Sequence, residues 1–193
     1  MLASHWQITP GTGNCLPCRA QGMGISVVPV GTVHDAVIDT VQSVVNERFQ
    51  VPVKVAGPLD IPDDAYVSTR EQYRGELLLK MLEQIDERYH QIGITIADMY
   101  FQDRDYVFGL AETDGNALVS CARLTRTRDG TKTVEPGRVT ARIRKEVVHE
   151  LGHVYGLRHC TNRSCVMSFS GDVEGIDQKS DTFCRVCMDE LSV

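Results

Sequence analysis

The sequence has no run of about eighteen apolar residues, the length that a helix needs to cross a membrane. It also lacks a charged segment followed by an apolar one at its start, so we expect a cytoplasmic protein with no membrane partner. No internal repeat or low-complexity tract is present, which excludes repeat architectures.

Basic residues are in the minority, since 20 Lys and Arg stand against 26 Asp and Glu, for a formal net charge of -6. A nucleic-acid-binding protein is usually basic, so we expect no nucleic-acid partner. With 193 residues, 42% of them hydrophobic and 24% charged, the chain has the composition of a globular protein with a substantial core. We predict one domain with two lobes, present as a monomer.

The most informative segment is 149–159, which reads H-E-x-x-H-x-x-G-x-x-H. Residues four apart on a helix lie on one face, about one turn apart, so His149 and His153 can bind one ion. Glu150 lies beside them, close enough to contact a metal-bound water without being a ligand. An apolar stripe at spacings of three and four supports this helix: Val139, Ile143, Val147, Leu151 and Val154.

A third histidine completes the set only if the helix ends before it. His159 is six residues beyond His153, which on a continuous helix places it about 240° away, on the wrong side. Gly156 can end the helix, because a residue without a Cβ adopts the left-handed conformation that lets the chain turn back. Three histidine ligands leave a fourth position open for water, as in catalytic zinc sites. The alternative is a surface helix whose histidines fall in register by chance, and five matching positions argue against it.

Four cysteines in a C-x4-C…C-x2-C arrangement make a second candidate metal site: Cys160, Cys165, Cys184 and Cys187. Four thiolates suit a closed tetrahedral zinc that contributes folding energy. Because the side chains of His159 and Cys160 point apart as neighbours, we predict two zinc ions, one catalytic and one structural. Two disulfides or ordinary buried thiols are the alternatives, but seven cysteines and no secretory signal favour metal.

These motifs resemble those of the archaemetzincins, a branch of the metzincin zinc peptidases. The resemblance rests on the long histidine motif, on Cys160 directly after its last histidine, and on the segments 165–167 and 184–187. It implies a metzincin-like zincin fold with an active-site helix and a zinc peptidase activity.

The resemblance also implies a role for each matching residue. Glu150 is the general base that takes a proton from the zinc-bound water, and Met167 forms the Met-turn beneath the metal. The implied ligands are His149, His153 and His159 for the catalytic zinc, and Cys160, Cys165, Cys184 and Cys187 for the structural zinc. Where astacin-like enzymes carry a tyrosine, Phe169 stands here and has no phenol to stabilise an oxyanion.

Strand and helix signals alternate from residue 24 onward, which predicts an α+β fold: a mixed twisted sheet with packed helices. Capping boxes at 32–35 and 68–71 predict two helix starts. Asp114-Gly115 predicts a hairpin turn between strands at 106–113 and 116–124. Further strands are predicted at 25–30, 51–55 and 92–97, and a loop is predicted at 125–136.

We divide the chain into three parts. Residues 1–22 are an N-terminal extension, for which disorder is one interpretation. Residues 23–157 are an N-terminal catalytic subdomain that includes the active-site helix. Residues 158–193 are a small zinc-stapled C-terminal subdomain with the third histidine, the Met-turn and the four cysteines. Cys15 and Cys18, in the extension, leave three alternatives open: a redox or zinc half-site, a thiolate lent to the catalytic zinc, or a dispensable tail.

The predicted function is hydrolysis of a bond in a peptide or protein substrate by a metal-activated water. A zinc-stabilised peptide-binding module without catalysis is the alternative from another class, and a zinc hydrolase of non-peptide amides is a third. The strand that pairs with an extended substrate is 107–111 or 117–122, and cleavage is either internal or from the amino end. Segment 169–183 either forms a wall of the substrate pocket or only links two ligands.

Other polar residues are predicted to have ordinary roles. We expect a solvated ion pair between Arg142 and Glu146 and a core position for Cys121. His34 and His90 are predicted to lie at the surface or at helix ends, without a metal role.

Overall fold

The computed structural model describes residues 24–86 and 88–191. The extension at 1–22, with Cys15 and Cys18, lies outside the described residues. The division between 23–157 and 158–193 stays a prediction.

The described residues contain eight strands and five α-helices. The strands are β1 (Gly24–Val30), β2 (Val53–Val55), β3 (Tyr66–Val67), β4 (Gln72–Arg74), β5 (Tyr89–Thr95), β6 (Met99–Tyr100), β7 (Gly109–Ala111) and β8 (Ala117–Ser120). The helices are α1 (Asp35–Phe49), α2 (Gly75–Lys80), α3 (Pro136–Val154), α4 (Val173–Gln178) and α5 (Arg185–Glu190). None of the helices in this part of the chain is long and apolar enough to cross a membrane.

A five-stranded sheet in the order β2-β1-β5-β8-β7 forms the centre of the fold. Strands β2, β1, β5 and β8 pair in parallel, and β7 pairs antiparallel with β8. This arrangement confirms the predicted α+β class with a mixed sheet. It also places β7 at one edge of the sheet, with no further strand beside it among the described residues.

The two faces of the sheet are covered by different layers. Because successive strand residues point to opposite faces, Ile25 and Val27 of β1 pack into the cluster that contains α1 and α3. Val28 and Val30 pack into a second cluster, with α2 and the three-stranded sheet β3-β4-β6. Helix α3, which carries the histidine motif, is therefore held in place by packing against α1 and one face of the sheet.

Neither predicted capping box is present, although the helix expected after the first one is found as α1. Helix α1 begins at Asp35 after His34, and no described side chain caps it. Residues 68–71 form a turn, and the chain enters β4 before α2 begins at Gly75. Pairing of β4 with β6 and the hydrogen bond from Gln72 Nε2 to the Asp105 carbonyl (2.8 Å) hold this segment extended. Tertiary pairing therefore overrides the local helix signal.

The hairpin prediction is confirmed in its turn, but its strands are shorter than expected. Asp114 has a φ of 56° and lies in the turn between β7 and β8. The register pairs Gly109 with Val119 and Ala111 with Ala117. The predicted helix signal of the histidine motif is confirmed as α3, whose apolar stripe is buried in the main core apart from the half-buried Val139.

Candidate active site

Helix α3 ends where the histidine motif requires it to end. Gly156 has a φ of +88°, in the left-handed region that favours glycine. Its amide donates to the His153 carbonyl at 3.0 Å, and the Leu157 amide donates back to the Gly152 carbonyl at 2.9 Å. These bonds satisfy carbonyls of the last helical turn and reverse the chain.

The reversal brings all three histidines of the motif together. One ring nitrogen from each lies within 4.8 Å of the others, and the Nε2 atoms of His149 and His153 are 3.2 Å apart. His149 and His153 are almost fully buried, whereas His159 is partly exposed. The arrangement can hold one metal ion by three nitrogens.

Backbone carbonyls orient two of the rings. Nδ1 of His149 donates to the Val166 carbonyl at 2.8 Å, and Nδ1 of His153 donates to the Leu157 carbonyl at 2.7 Å. A carbonyl only accepts hydrogen bonds, so each Nδ1 carries the proton and each Nε2 is left as a potential ligand.

Burial favours the neutral form of two rings of the site, His153 and His159. Burial lowers the pKa of His153, and it lowers the pKa of His159 to about 4, with further contributions from the charges of His153 and Lys179. A neutral imidazole is the form that binds a metal ion.

The four cysteines of the second motif also converge. Their Sγ atoms all lie within 4.8 Å of one another, with 3.8 Å between Cys160 and Cys184 and 3.7 Å between Cys165 and Cys187. A hydrogen bond from the Cys187 backbone amide is the main cause that lowers the pKa of the Cys184 thiol to about 7, and this lower pKa favours the thiolate. This closed group, apart from the histidines, suits a tetrahedral zinc.

Glu150 lies beneath the open edge of the sheet. Its side chain is buried against Gly109 of β7, where a Cβ would come within 2.6 Å of the Glu150 Cδ. Burial raises the pKa of Glu150 well above its usual range, the Glu146 carboxylate raises it further, and the Lys179 ammonium opposes the shift.

Met167 packs against α3 at the helical turn between the first two histidines. A Cβ on Gly152 would lie 3.0 Å from the Met167 Cε, so only a glycine lets this methionine approach so closely. The position of Met167 is therefore fixed directly beside the histidine-bearing turn.

A cavity of about 70 Å³ opens next to Glu150 and His153. Apolar side chains form most of its lining: Phe101, Val107, Phe108, Leu110 and Phe169. Residues 169–171 belong to this lining, so the first part of the segment 169–183 does form a wall of the cavity. Tyr106 joins the two sides of the cleft, because its hydroxyl donates to the Gly171 carbonyl at 3.1 Å.

Residues 29–193 match the sequence model of Peptidase family M54. The chain belongs to this family.

Relatives within this family align over most of the chain. Archaemetzincin from Haloquadratum walsbyi is 40% identical over 168 residues, which are 86% of this chain and 97% of the relative. Archaemetzincin from Natronomonas pharaonis is 37% identical over 172 residues, 88% of this chain and 99% of the relative. The predicted resemblance to archaemetzincins is thereby confirmed, and membership of Peptidase family M54 supports a zinc metallopeptidase.

Solved structures confirm the predicted fold as well. The crystal structure of archaemetzincin from Archaeoglobus fulgidus, complexed with malonate, superposes with a TM-score of 0.76 at 34% identity and covers 87% of this chain and 99% of that one. Archaemetzincin from Methanopyrus kandleri gives a TM-score of 0.77 at 32% identity and covers 92% of this chain and 97% of that one.

The solvated ion pair predicted between Arg142 and Glu146 is wrong. Both side chains are buried, and each pairs with the C-terminal segment instead. Arg142 binds Asp177 through two hydrogen bonds of 2.7 Å, and Glu146 Oε1 lies 2.9 Å from Lys179 Nζ. The spacing of 142, 146 and 150 on α3 signals one helix face, but it does not reveal that another segment covers this face.

The remaining polar candidates, Cys121, His90 and His34, belong to neither group of metal-binding side chains among the described residues. Cys121 is buried in the main core, as predicted. His90 is buried rather than at the surface, and its Nδ1 bonds to the Gly115 carbonyl at 2.8 Å. His34 precedes α1 and is exposed.

We expect Lys179→Met to lower the free energy of unfolding by about 3–5 kcal/mol. Lys179 and Glu146 have side-chain exposures of 1% and 2%, so removing the ammonium leaves a buried carboxylate without a counter-charge. Urea denaturation of the zinc-loaded protein measures the loss. The control is the double variant Lys179→Met/Glu146→Met, which removes both charges and should recover most of it. Equal losses in the single and double variants would contradict this account.

Proposed function

We propose that the chain hydrolyses peptide bonds, with a catalytic zinc bound by His149, His153 and His159 and with Glu150 as general base. The observation that carries the proposal is the convergence of three histidine ring nitrogens within 4.8 Å, next to a buried carboxylate. Such a donor set suits zinc with one position left open.

The state of Glu150 supports its part in the proposal. Its Oε1 is buried and has no hydrogen-bond partner among the residues that the structure describes. Buried polar atoms normally have a partner, so this oxygen fits a group that binds at the histidine site. Zinc, when bound, polarises a carbonyl and lowers the pKa of a water. Glu150 would accept a proton from the attacking water and pass it to the leaving amine.

A second, structural zinc belongs to the same proposal. Cys160, Cys165, Cys184 and Cys187 supply four sulfur donors in a closed group, which suits an ion that holds the C-terminal segment. We assign Met167, beside Gly152, to the Met-turn that supports the histidine site. A cytoplasmic location and a monomeric state are also part of the proposal, and they rest on the sequence alone.

The substrate strand is best assigned to 107–111. Strand β8 is internal in the sheet, so 117–122 is not available as an edge. In the antiparallel ladder, the Ser120 amide donates to the Phe108 carbonyl and the Glu112 amide donates to the Asn116 carbonyl. Because bonded pairs alternate, the backbone groups of Gly109 and Ala111 point to the open edge. An extended peptide can pair with them above Glu150.

A peptide-binding module without catalysis is the second candidate, since the same cleft and edge strand would serve it. A cleavage assay distinguishes the two candidates, because only a peptidase hydrolyses the bound peptide. We propose hydrolysis because a binding module has no need for a buried carboxylate beside three metal-binding nitrogens.

Glu150→Gln should lower the hydrolysis rate of a mixed peptide library by at least about a hundredfold, because the amide cannot accept the proton of the water. Zinc content, measured by mass spectrometry, should stay at the level of the unaltered protein. Glu83→Gln, which changes an exposed glutamate, is the matched control and should keep full activity.

Full activity of Glu150→Gln would refute the general-base role. No chelator-sensitive cleavage by the unaltered, zinc-loaded protein would favour the binding module instead.

Ala111→Pro should raise KM with little change in kcat. Proline removes the outward amide of Ala111 and leaves the bonds to β8 in place, as edge strands tolerate. Loss of one main-chain hydrogen bond, about 1 kcal/mol, corresponds to roughly a fivefold rise in KM. Ala111→Gly, which keeps the amide, is the control. An unchanged KM in the proline variant would exclude pairing at this position.

A further inference from the structure

The segment 160–168 links the two candidate metal sites. It carries two of the four cysteines, and its backbone also contacts the histidine site at two separate points. Each of these points involves a residue directly adjacent to a cysteine.

The first point is the junction of His159 and Cys160. His159 lies outside any helix or strand, so its ring position depends on how the chain is held on either side. On one side the Leu157 amide is bound to α3. On the other side the Cys160 amide donates to the Met167 carbonyl at 2.9 Å, and the Cys160 Sγ belongs to the cluster of four cysteines.

The second point is the junction of Cys165 and Val166. The Val166 carbonyl accepts the hydrogen bond that orients the His149 ring, at 2.8 Å. The Val166 amide donates to the Thr182 carbonyl at 2.9 Å, two residues before Cys184. The residue whose carbonyl orients His149 thus lies beside Cys165 and is hydrogen-bonded to the segment that leads to Cys184.

His153 is different from the other two histidines. Its Nδ1 is oriented by the Leu157 carbonyl, in the turn that closes α3 itself. The cysteine-bearing segment therefore helps to position His149 and His159, whereas the turn that closes α3 orients His153.

We propose that Cys160 and Cys165 are positioning residues for the histidine site, so that zinc at the four cysteines raises the zinc affinity of the three histidines. This inference rests on the proposed function, in that it takes both groups as zinc sites. The cysteines act through the backbone. Cys160 positions His159 because the two residues are adjacent in the chain, and Cys165 positions His149 through the carbonyl of its neighbour Val166, which accepts a hydrogen bond from the His149 ring.

The expected size of the coupling follows from the behaviour of groups that orient metal ligands. Loss of such a group typically lowers metal affinity by about 10–100-fold. Binding linkage is reciprocal, so zinc at the histidines must raise the affinity of the cysteine site by the same factor.

Cys187→Ala tests the inference without changing the segment 160–168, because Cys187 lies outside that segment, on α5. Zinc affinity of the histidine site is measured by competition with a chromophoric chelator. Cobalt distinguishes the two sites, since thiolate ligands add charge-transfer absorption. We expect the histidine site to weaken about 10–100-fold.

Two further variants complete this arm. Cys187→His keeps four donors, as in Cys3His zinc sites, and should restore most of the affinity. Cys121→Ala removes a thiol outside the cluster and should leave the affinity unchanged. Circular dichroism checks that each variant is folded. An unchanged histidine-site affinity in folded Cys187→Ala would overturn the inference.

The reciprocal arm does not depend on the folding of Cys187→Ala. His153→Gln disables the histidine site at the ligand that the cysteine segment does not hold. The cysteine site of this variant should bind zinc about 10–100-fold more weakly than that of the unaltered, fully loaded protein. Equal affinities would overturn the inference.

Metal content separates this inference from the proposed function. A single zinc per unaltered chain would contradict the proposed two-zinc function. Two zinc ions that bind with independent affinities would leave the function standing and overturn only the coupling.

Discussion

The reversal of the chain at Gly156 is the constraint on which the site depends. Helix geometry puts His149 and His153 on one face, and it would carry His159 to the opposite side if α3 continued. A φ of +88° at a residue without a Cβ ends the helix, and the Leu157 carbonyl is thereby placed to orient His153. The same turn thus brings in the third ring and fixes the second one.

The polar face of α3 is buried against the C-terminal segment rather than hydrated. Arg142, Glu146 and Glu150 follow one another at intervals of one turn, and all three are buried. Asp177 and Lys179 neutralise the first two, which leaves Glu150 as the carboxylate of this row without an ion pair among the described residues. An uncompensated carboxylate away from water has a raised pKa, and a cation at the histidine site would favour its charged form.

The sequence predicts the motifs well because their spacing is a local property. The fixed positions in 149–159 specify a helix, its end and three converging rings without knowledge of the rest of the fold. The mixed sheet and the hairpin turn at Asp114-Gly115 are likewise readable from alternation and turn chemistry. Partners that are distant in the chain are not readable in this way. Lys179, the β3-β4-β6 sheet and the contact of Gly109 with Glu150 arise from tertiary packing, which leaves no periodic signal in a single sequence.

The position of α5 has a consequence for the order of events on the ribosome. A nascent chain emerges from its amino end, and α3 with its first two histidines precedes Cys187 by more than 30 residues. The Val166 amide cannot donate to the Thr182 carbonyl until residue 182 has left the exit tunnel, and the four sulfurs cannot assemble until Cys187 has left it. A partly synthesised chain therefore carries the histidine-bearing helix before its four cysteines can come together.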